Sequence, residues 1–208
     1  EQPGGGDGYL EGNGYVVSWC VGHLVELAPP EAYGDQYRNG VRMTCRFSQS
    51  RFNIGFQWQR KKQFEILKEL MSREDVESLV CATDAGREGE LIFRLVYHQC
   101  RCRKPFERLW ISSMEDSAIR EGFKSLRPSK EYDALYKAAL CRERADWIVG
   151  INVTRLFSYL YGSTLNTGRV MSPTLAMAVE RKAAIATFQP EASIRYSFNS
   201  MVLPYRND

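Results

Sequence analysis

The stretch from Val80 to Arg94, VCATDAGREGELIFR, constrains this chain more than any other. Residues Ser78 to Thr83 read as a short apolar strand, with Asp84 at its end. A tight turn through Ala85 and Gly86 follows, then Glu88 and Glu90, then a helix. On that helix Leu91, Ile92, Leu95 and Val96 repeat at the spacing of one buried face. Open α/β sheets bind ligands at the carboxyl ends of their strands, where this acidic group falls. Asp84, Glu88 and Glu90 repel one another unless a cation or a buried proton neutralises them. Mg²⁺ suits such a set, because it takes one or two carboxylates plus phosphate oxygens. Acidic residues also favour the first turn of any helix, so spacing alone leaves both a metal site and a solvated helix start open.

A strand–helix–strand alternation surrounds this segment. Lys61 to Ser72 is an amphipathic helix with Phe64, Leu67, Leu70 and Met71 on one side. Pro105 interrupts the chain, and Phe106 to Ile111 reads as a further strand. The alternation predicts an α/β fold with a mostly parallel sheet. Earlier, Tyr15 to Trp19 reads as a strand, followed by Cys20-Val21-Gly22-His23-Leu24, where His23 can donate to phosphate. Ala28 to Tyr33 is a loop.

After Ser112 the character becomes helical. Ser113 is expected to cap a helix reaching about Leu126, with Ile119 and Phe123 inward. Pro128 breaks the chain. A second helix is expected from about Tyr132 to Tyr161, with Leu135, Ala139, Trp147, Ile151 and Leu156 on its buried side. Arg142, Arg144 and Arg155 lie along it, either paired with Glu143 and Asp146 or free to meet a DNA backbone. Ser172-Pro173 reads as a third helix start, with Leu175, Ala176 and Val179 on its packed side. Its positive end would lie beside Gly168 and Arg169, a ready phosphate site.

Two motifs carry a family resemblance. ATDAGREGELI resembles the second acidic motif of the Toprim fold of topoisomerases, bacterial primases and some nucleases. Together with GRVMSPTLAMAVER, Gly168 to Arg181, it is similar to the type IA DNA topoisomerases, the bacterial topoisomerase III branch in particular. The resemblance covers most of Gly8 to Pro190. It implies a Rossmann-like Toprim domain over residues 1–113 and a mainly helical DNA-binding domain over 114–190, leaving 191–208 unassigned. It implies Mg²⁺ held by Asp84 and Glu88, with Glu90 a weaker ligand and Glu88 a possible catalytic group. Arg87 is a weaker phosphate candidate. It implies single-stranded DNA as partner, contacted by His23, Arg144, Asn152, Arg155 and the run Asn166, Thr167, Gly168, Arg169, Val170, Met171 and Ser172. The activity implied is strand passage: a tyrosine attacks a phosphodiester, holds the 5′ end, another strand passes, and the break reseals.

The sequence departs from the family pattern in three ways. Gly86 stands where many relatives carry an aspartate. The chain is expected to begin after the first Toprim strand, whose glutamate is the proposed acid–base. None of its eleven tyrosines sits in a Tyr-x-Arg-Thr-type setting, so the chain alone is expected to lack the full chemistry. A Toprim nuclease or primase would share the acidic motif but not the Gly168–Arg181 motif. A non-catalytic DNA-binding fragment would keep the basic residues without turnover.

Composition limits the alternatives. A net charge of +3 does not by itself demand a polyanionic partner, so local placement must carry that argument. Gln36 to Phe64 holds seven basic residues among aromatics and no acid, which reads as a single-strand platform or as a solvated loop. Asn39 to Gln59 does not resemble the family's connector; a divergent insertion and a reading-frame error both fit. No apolar run nears membrane-spanning length, which makes a soluble cytoplasmic protein the expectation. The six cysteines have no CxxC spacing and read as reduced structural thiols. His98, Cys100 and Cys102 lack a convincing partner set for zinc.

Overall fold

The computed structural model describes residues 8–37, 52–56 and 60–190. The chain divides into two compact units, Glu1–Arg169 and Val170–Asp208.

The first unit holds seven short strands, four α-helices and three 3-10 helices among its described residues. β1 (Tyr9–Gly12) and β2 (Tyr15–Ser18) form an antiparallel hairpin. Its turn residues Asn13 and Gly14 take positive φ, the geometry of a tight hairpin turn. β3 (Val25–Leu27) pairs antiparallel with β4 (Ile54–Phe56). α1 (Lys61–Ser72) has the expected extent and buries Phe64, Leu67 and Met71. β5 (Leu79–Cys81) and β6 (Phe106–Arg108) are parallel neighbours joined through α2 (Arg87–Gln99). β7 (Arg127–Pro128) then pairs antiparallel with β6, where sequence reading expects only a break. The α/β class holds, although β5–β6 is the one parallel pairing among the described strands.

The core gathers Leu24 and Val25 with Phe64, Leu67 and Met71 of α1 and Leu91, Leu95 and Val96 of α2. Ala139 joins it from α4 (Asp133–Tyr161), so the long helix is packed into the same core as the sheet. Full burial of each leucine is worth about 1.5–3 kcal/mol.

Several expectations are corrected. α2 starts at Arg87, so Glu88 and Glu90 lie inside its first turn rather than before it. α3 (Asp116–Lys124) starts after Glu115, and Ser113 instead accepts the Glu115 N–H at 3.3 Å. Phe123 is exposed against the Tyr15 ring; Gly122 faces inward, because a Cβ there would meet Ile111 at 2.6 Å and Leu109 at 2.8 Å. Leu156 on α4 is exposed.

The second unit contains α5 (Met171–Ala186). Ser172 does not cap it: Val170 occupies the cap position with no side-chain cap hydrogen bond. No residue of α5 is buried, and Leu175 and Val179 are exposed. The basic residues Arg38, Arg42, Arg46 and Arg51 of the expected single-strand platform lie outside the described residues, as does the tail from 191.

Candidate metal and nucleic-acid site

Asp84 stands exposed just beyond β5, and Glu88 stands exposed in the first turn of α2. The turn between them is tight: the Gly86 N–H donates to the Asp84 carbonyl at 2.8 Å, and the Glu90 N–H donates to the Gly86 carbonyl at 3.2 Å. Thr83 adds a clasp, its hydroxyl donating to the Gly89 carbonyl at 2.7 Å. Gly89 lies so close to Asp84 that a Cβ would sit 2.8 Å from the Asp84 nitrogen and closer still to its carbonyl oxygen. A cluster that sequence presents as three carboxylates is thereby divided.

Glu90 turns away from the other two. It is fully buried, with Oε1 accepting from Arg94 Nε at 2.7 Å and Oε2 facing Arg108 Nε at 3.1 Å. Both of its oxygens face guanidinium groups, so its expected place as a third metal ligand is not what the fold uses it for. Arg108 went unremarked in the sequence, although an arginine inside the apolar strand Phe106 to Ile111 is a signal: a buried guanidinium requires a partner.

His23 comes to Glu88 from the other direction, Nε2 to Oε2 at 3.6 Å. Its loop is held by Arg60, which donates to the His23 carbonyl at 3.0 Å. Glu143 on α4 adds to the acidity. Burial holds its carboxyl above the ordinary value of 4.5, and the charges of Glu88 and Glu26 push the same way against Arg144. Its Oε2 is buried without a hydrogen-bond partner.

Among the described residues no three His, Cys, Asp or Glu side chains come together as a metal cage. That does not exclude Mg²⁺, which keeps several waters and binds through one or two carboxylates. Two exposed carboxylates in a region that disfavours further negative charge fit such a cation. Among the described residues, His98, Cys100 and Cys102 belong to no group of three such ligands. Burial holds the Cys20 thiol up at about 11 and the Cys100 thiol at about 12.

The expected DNA contacts of the first unit are occupied internally. Arg155 donates to the Tyr37 carbonyl and faces Glu31 at 3.8 Å, leaving its side chain 12% exposed. Arg144 lies over the Phe52 ring at 4.8 Å, and Phe52 packs on Trp147. Asn152 donates to the Ile148 carbonyl at 2.8 Å. After α4 ends at Gly162 in left-handed geometry, the chain returns along the helix. The Leu165 N–H donates to Ser158 at 2.9 Å, the Thr167 N–H donates to Thr154 at 2.9 Å, and Arg169 reaches Asp146. Asn166 and Gly168 alternate with these anchored residues. Arg169 meets Asp146 with both Nε and a terminal nitrogen, at 2.5 and 3.1 Å, and Arg142 approaches the same carboxylate at 3.7 Å.

A family model described as Toprim domain matches residues 7–114, and one described as DNA topoisomerase matches residues 130–200. The first defines the class of fold to which this site belongs. The chain is 44% identical over 204 residues to DNA topoisomerase 3 of Bacillus subtilis (strain 168), covering 97% of this chain and 28% of that protein. It is 46% identical over 186 residues to DNA topoisomerase 3 of Shouchella clausii (strain KSM-K16), covering 89% of this chain and 26% of that protein. The chain belongs to the type IA DNA topoisomerase family, on its topoisomerase III-like side. It spans between a quarter and a third of the length of these relatives.

Proposed function

We propose that this chain forms the Mg²⁺-dependent, single-strand-binding part of a topoisomerase III-like enzyme, divided near residue 113 into a Toprim domain and a helical DNA-binding domain. The observation that carries this reading is the placement at one strand end: Asp84 exposed just beyond β5 and Glu88 exposed in the first turn of α2, with His23 meeting Glu88 at 3.6 Å. Asp84 and Glu88 would hold such a cation, which would supply positive charge beside a phosphodiester. His23 orients Glu88, and Arg87 faces solvent next to it. Glu88 would hold that cation together with Asp84, and its exposed carboxylate is the candidate acid–base group of the site.

The contacts to DNA are to phosphate, because arginine, glycine and backbone amides recognise charge rather than base edges. Arg169 leads, within the run Asn166 to Ser172, and its Asp146 pair exchanges for a phosphate. His23, Arg144, Asn152 and Arg155 line the path, the last two mainly by holding its walls. In the whole enzyme, strand cleavage by a tyrosine and strand passage follow. The 208 residues by themselves bind without turnover, since none of their tyrosines has the family's nucleophile setting. Acting on bacterial chromosomal DNA places the protein in the cytoplasm. No described helix is long and apolar enough to cross a membrane.

The test is direct. The purified chain is titrated with Mg²⁺ in a calorimeter and with labelled single-stranded oligonucleotides at several salt concentrations, beside Asp84→Asn and Arg169→Ala. The expected result is Mg²⁺ binding lost in the first variant. Oligonucleotide binding should be weakened evenly across sequences in the second, with a flatter salt dependence. A sequence-selective loss, or relaxation of negatively supercoiled plasmid by the unmodified chain, would contradict the reading.

A further inference from the structure

Beside the acidic loop a continuous chain of charges runs from half-exposed Asp133 into the buried Arg94, Glu90 and Arg108. Asp133, the first residue of α4, accepts from an Arg94 terminal nitrogen at 2.6 Å. Arg94 also donates to the Ser129 carbonyl at 2.7 Å and lies between the Phe106 and Tyr136 rings at 5.3 and 5.2 Å. Its Nε meets Glu90, whose other oxygen faces Arg108. Arg108 is fully buried on β6, directly opposite Cys81 in the parallel register. From there one terminal nitrogen donates to the Cys81 carbonyl at 2.8 Å and the Thr83 carbonyl at 2.7 Å, and the other donates to the Asp84 carbonyl.

Those acceptors are the last carbonyls of β5 and of the turn that follows it. Beyond Cys81 the ladder to β6 ends, so the Thr83 carbonyl has no strand partner, while the Asp84 carbonyl takes the Gly86 N–H of its own turn as well as Arg108. Without Arg108 the part-buried Thr83 carbonyl would lose its side-chain donor and keep part of the desolvation cost of an unpaired polar group. A planar guanidinium can bond several acceptors at once in fixed geometry, which an ammonium cannot. Glu90 supplies the countercharge that allows the guanidinium to be buried.

We propose that Arg108, oriented by Glu90, is a positioning residue that sets the backbone of the Asp84 turn, and that the chain Asp133–Arg94–Glu90–Arg108 ties this turn to the first turn of α4. The Asp84 carboxylate is thereby held in register with the helix that presents Arg142, Asp146 and the Arg169 segment. Its relevance to catalysis rests on the metal reading above; the positioning itself does not.

The experiment uses the full chain, with amide hydrogen exchange followed by NMR and Mg²⁺ alone as the calorimetric probe. Arg108→Lys keeps the charge and the Glu90 pair but cannot span three carbonyls. Exchange at Gly86 and Glu90 should quicken by about tenfold while the α1 amides stay unchanged. Mg²⁺ affinity should fall by about tenfold, the scale of second-sphere supports. Should that variant not fold, Asp133→Asn at the half-exposed far end decides the matter. It should quicken Gly86 exchange about threefold, with the same site specificity. Unchanged Gly86 exchange in Asp133→Asn, or quickening that extends equally to α1 in either variant, overturns the proposal. An Asp84→Asn arm tests the metal reading alone: if it leaves Mg²⁺ binding intact, that reading fails while the exchange result still stands.

Discussion

A methyl group added at Gly89 would lie 2.8 Å from the Asp84 nitrogen, against backbone that cannot move without opening the turn. Gly89→Ala should therefore destabilise the chain by about 1–3 kcal/mol, the usual penalty for overpacking, read from urea unfolding midpoints. A variant as stable as the parent would mean the turn has slack. Gly86, three residues earlier, is the opposite case. Its backbone is extended, with φ of −178°, and a Cβ there would meet nothing within 4 Å. Gly86→Asp should fold normally and add a third carboxylate at the strand end. Calorimetry should then give Mg²⁺ affinity raised by about 3- to 10-fold, on the general ground that ligand charge tunes cation affinity. Unchanged affinity would place the cation elsewhere. Asp146 gives a third test. Arg169 holds its carboxyl below the ordinary 3.8 by hydrogen bonding, so the pair persists through neutral pH and competes with phosphate. Asp146→Asn should tighten oligonucleotide binding by roughly 3- to 10-fold at low salt, as one released arginine adds a phosphate contact. Weaker binding would show Asp146 to be a support for Arg169 instead.

At the scale of elements, the segment after α4 is positioned by a stripe of that helix. Ser158, Thr154 and Asp146 lie on one face, and the returning chain bonds to them in order. Both hydroxyls accept an N–H from the strap, which side chains of that type do readily. A second tie joins β1 to the end of α1. Arg73 binds Glu11 through two nitrogens at 3.0 and 2.8 Å and Asp75 at 2.9 and 2.6 Å. Hydrogen bonding to Arg73 lowers the Glu11 carboxyl below its ordinary 4.5 and that of Asp75 below 3.8. Both folded-state values lie below the unfolded ones. Their contribution is therefore complete above the ordinary carboxylate range and is lost as pH falls through the lowered values. Thermal melts of the parent and Arg73→Ala should differ at pH 7 and converge toward pH 3. A gap that stays constant with pH would remove this tie from the stability of the fold.

At the scale of the whole molecule, the two units differ in how they are supported. The first has a core shared by α1, α2 and α4. In the second, α5 buries none of its residues, with Leu175, Met177 and Val179 exposed. A helix of 16 residues without packing is marginal in water. In this chain α5 amides should exchange orders of magnitude faster than those of α2, and limited proteolysis should cut within 171–186 first. Protection of α5 equal to that of α2 would mean that it is packed in solution.

The extents of α1 and α4 were legible in the sequence to within a residue, because helical periodicity is a local property repeated over many turns. The strand before Asp84 and the βα passage after it were legible too, and with them the family. β1, β3, β4 and β7 were not, because strands this short are fixed by the segment they pair with rather than by their own pattern. The fate of individual charges was decided by the tertiary structure alone. Glu90 and Glu88 sit two positions apart in one acidic run, yet helix geometry turns one into the core toward Arg94 and Arg108 and leaves the other in solvent. Arg94 finds Asp133 at a separation of 39 residues, Arg169 finds Asp146 at 23, and Arg155 finds the Tyr37 carbonyl at 118. Local pattern records which face of an element is apolar. It holds no record of which distant charge will lie opposite, and a buried charge is stable only where that partner arrives.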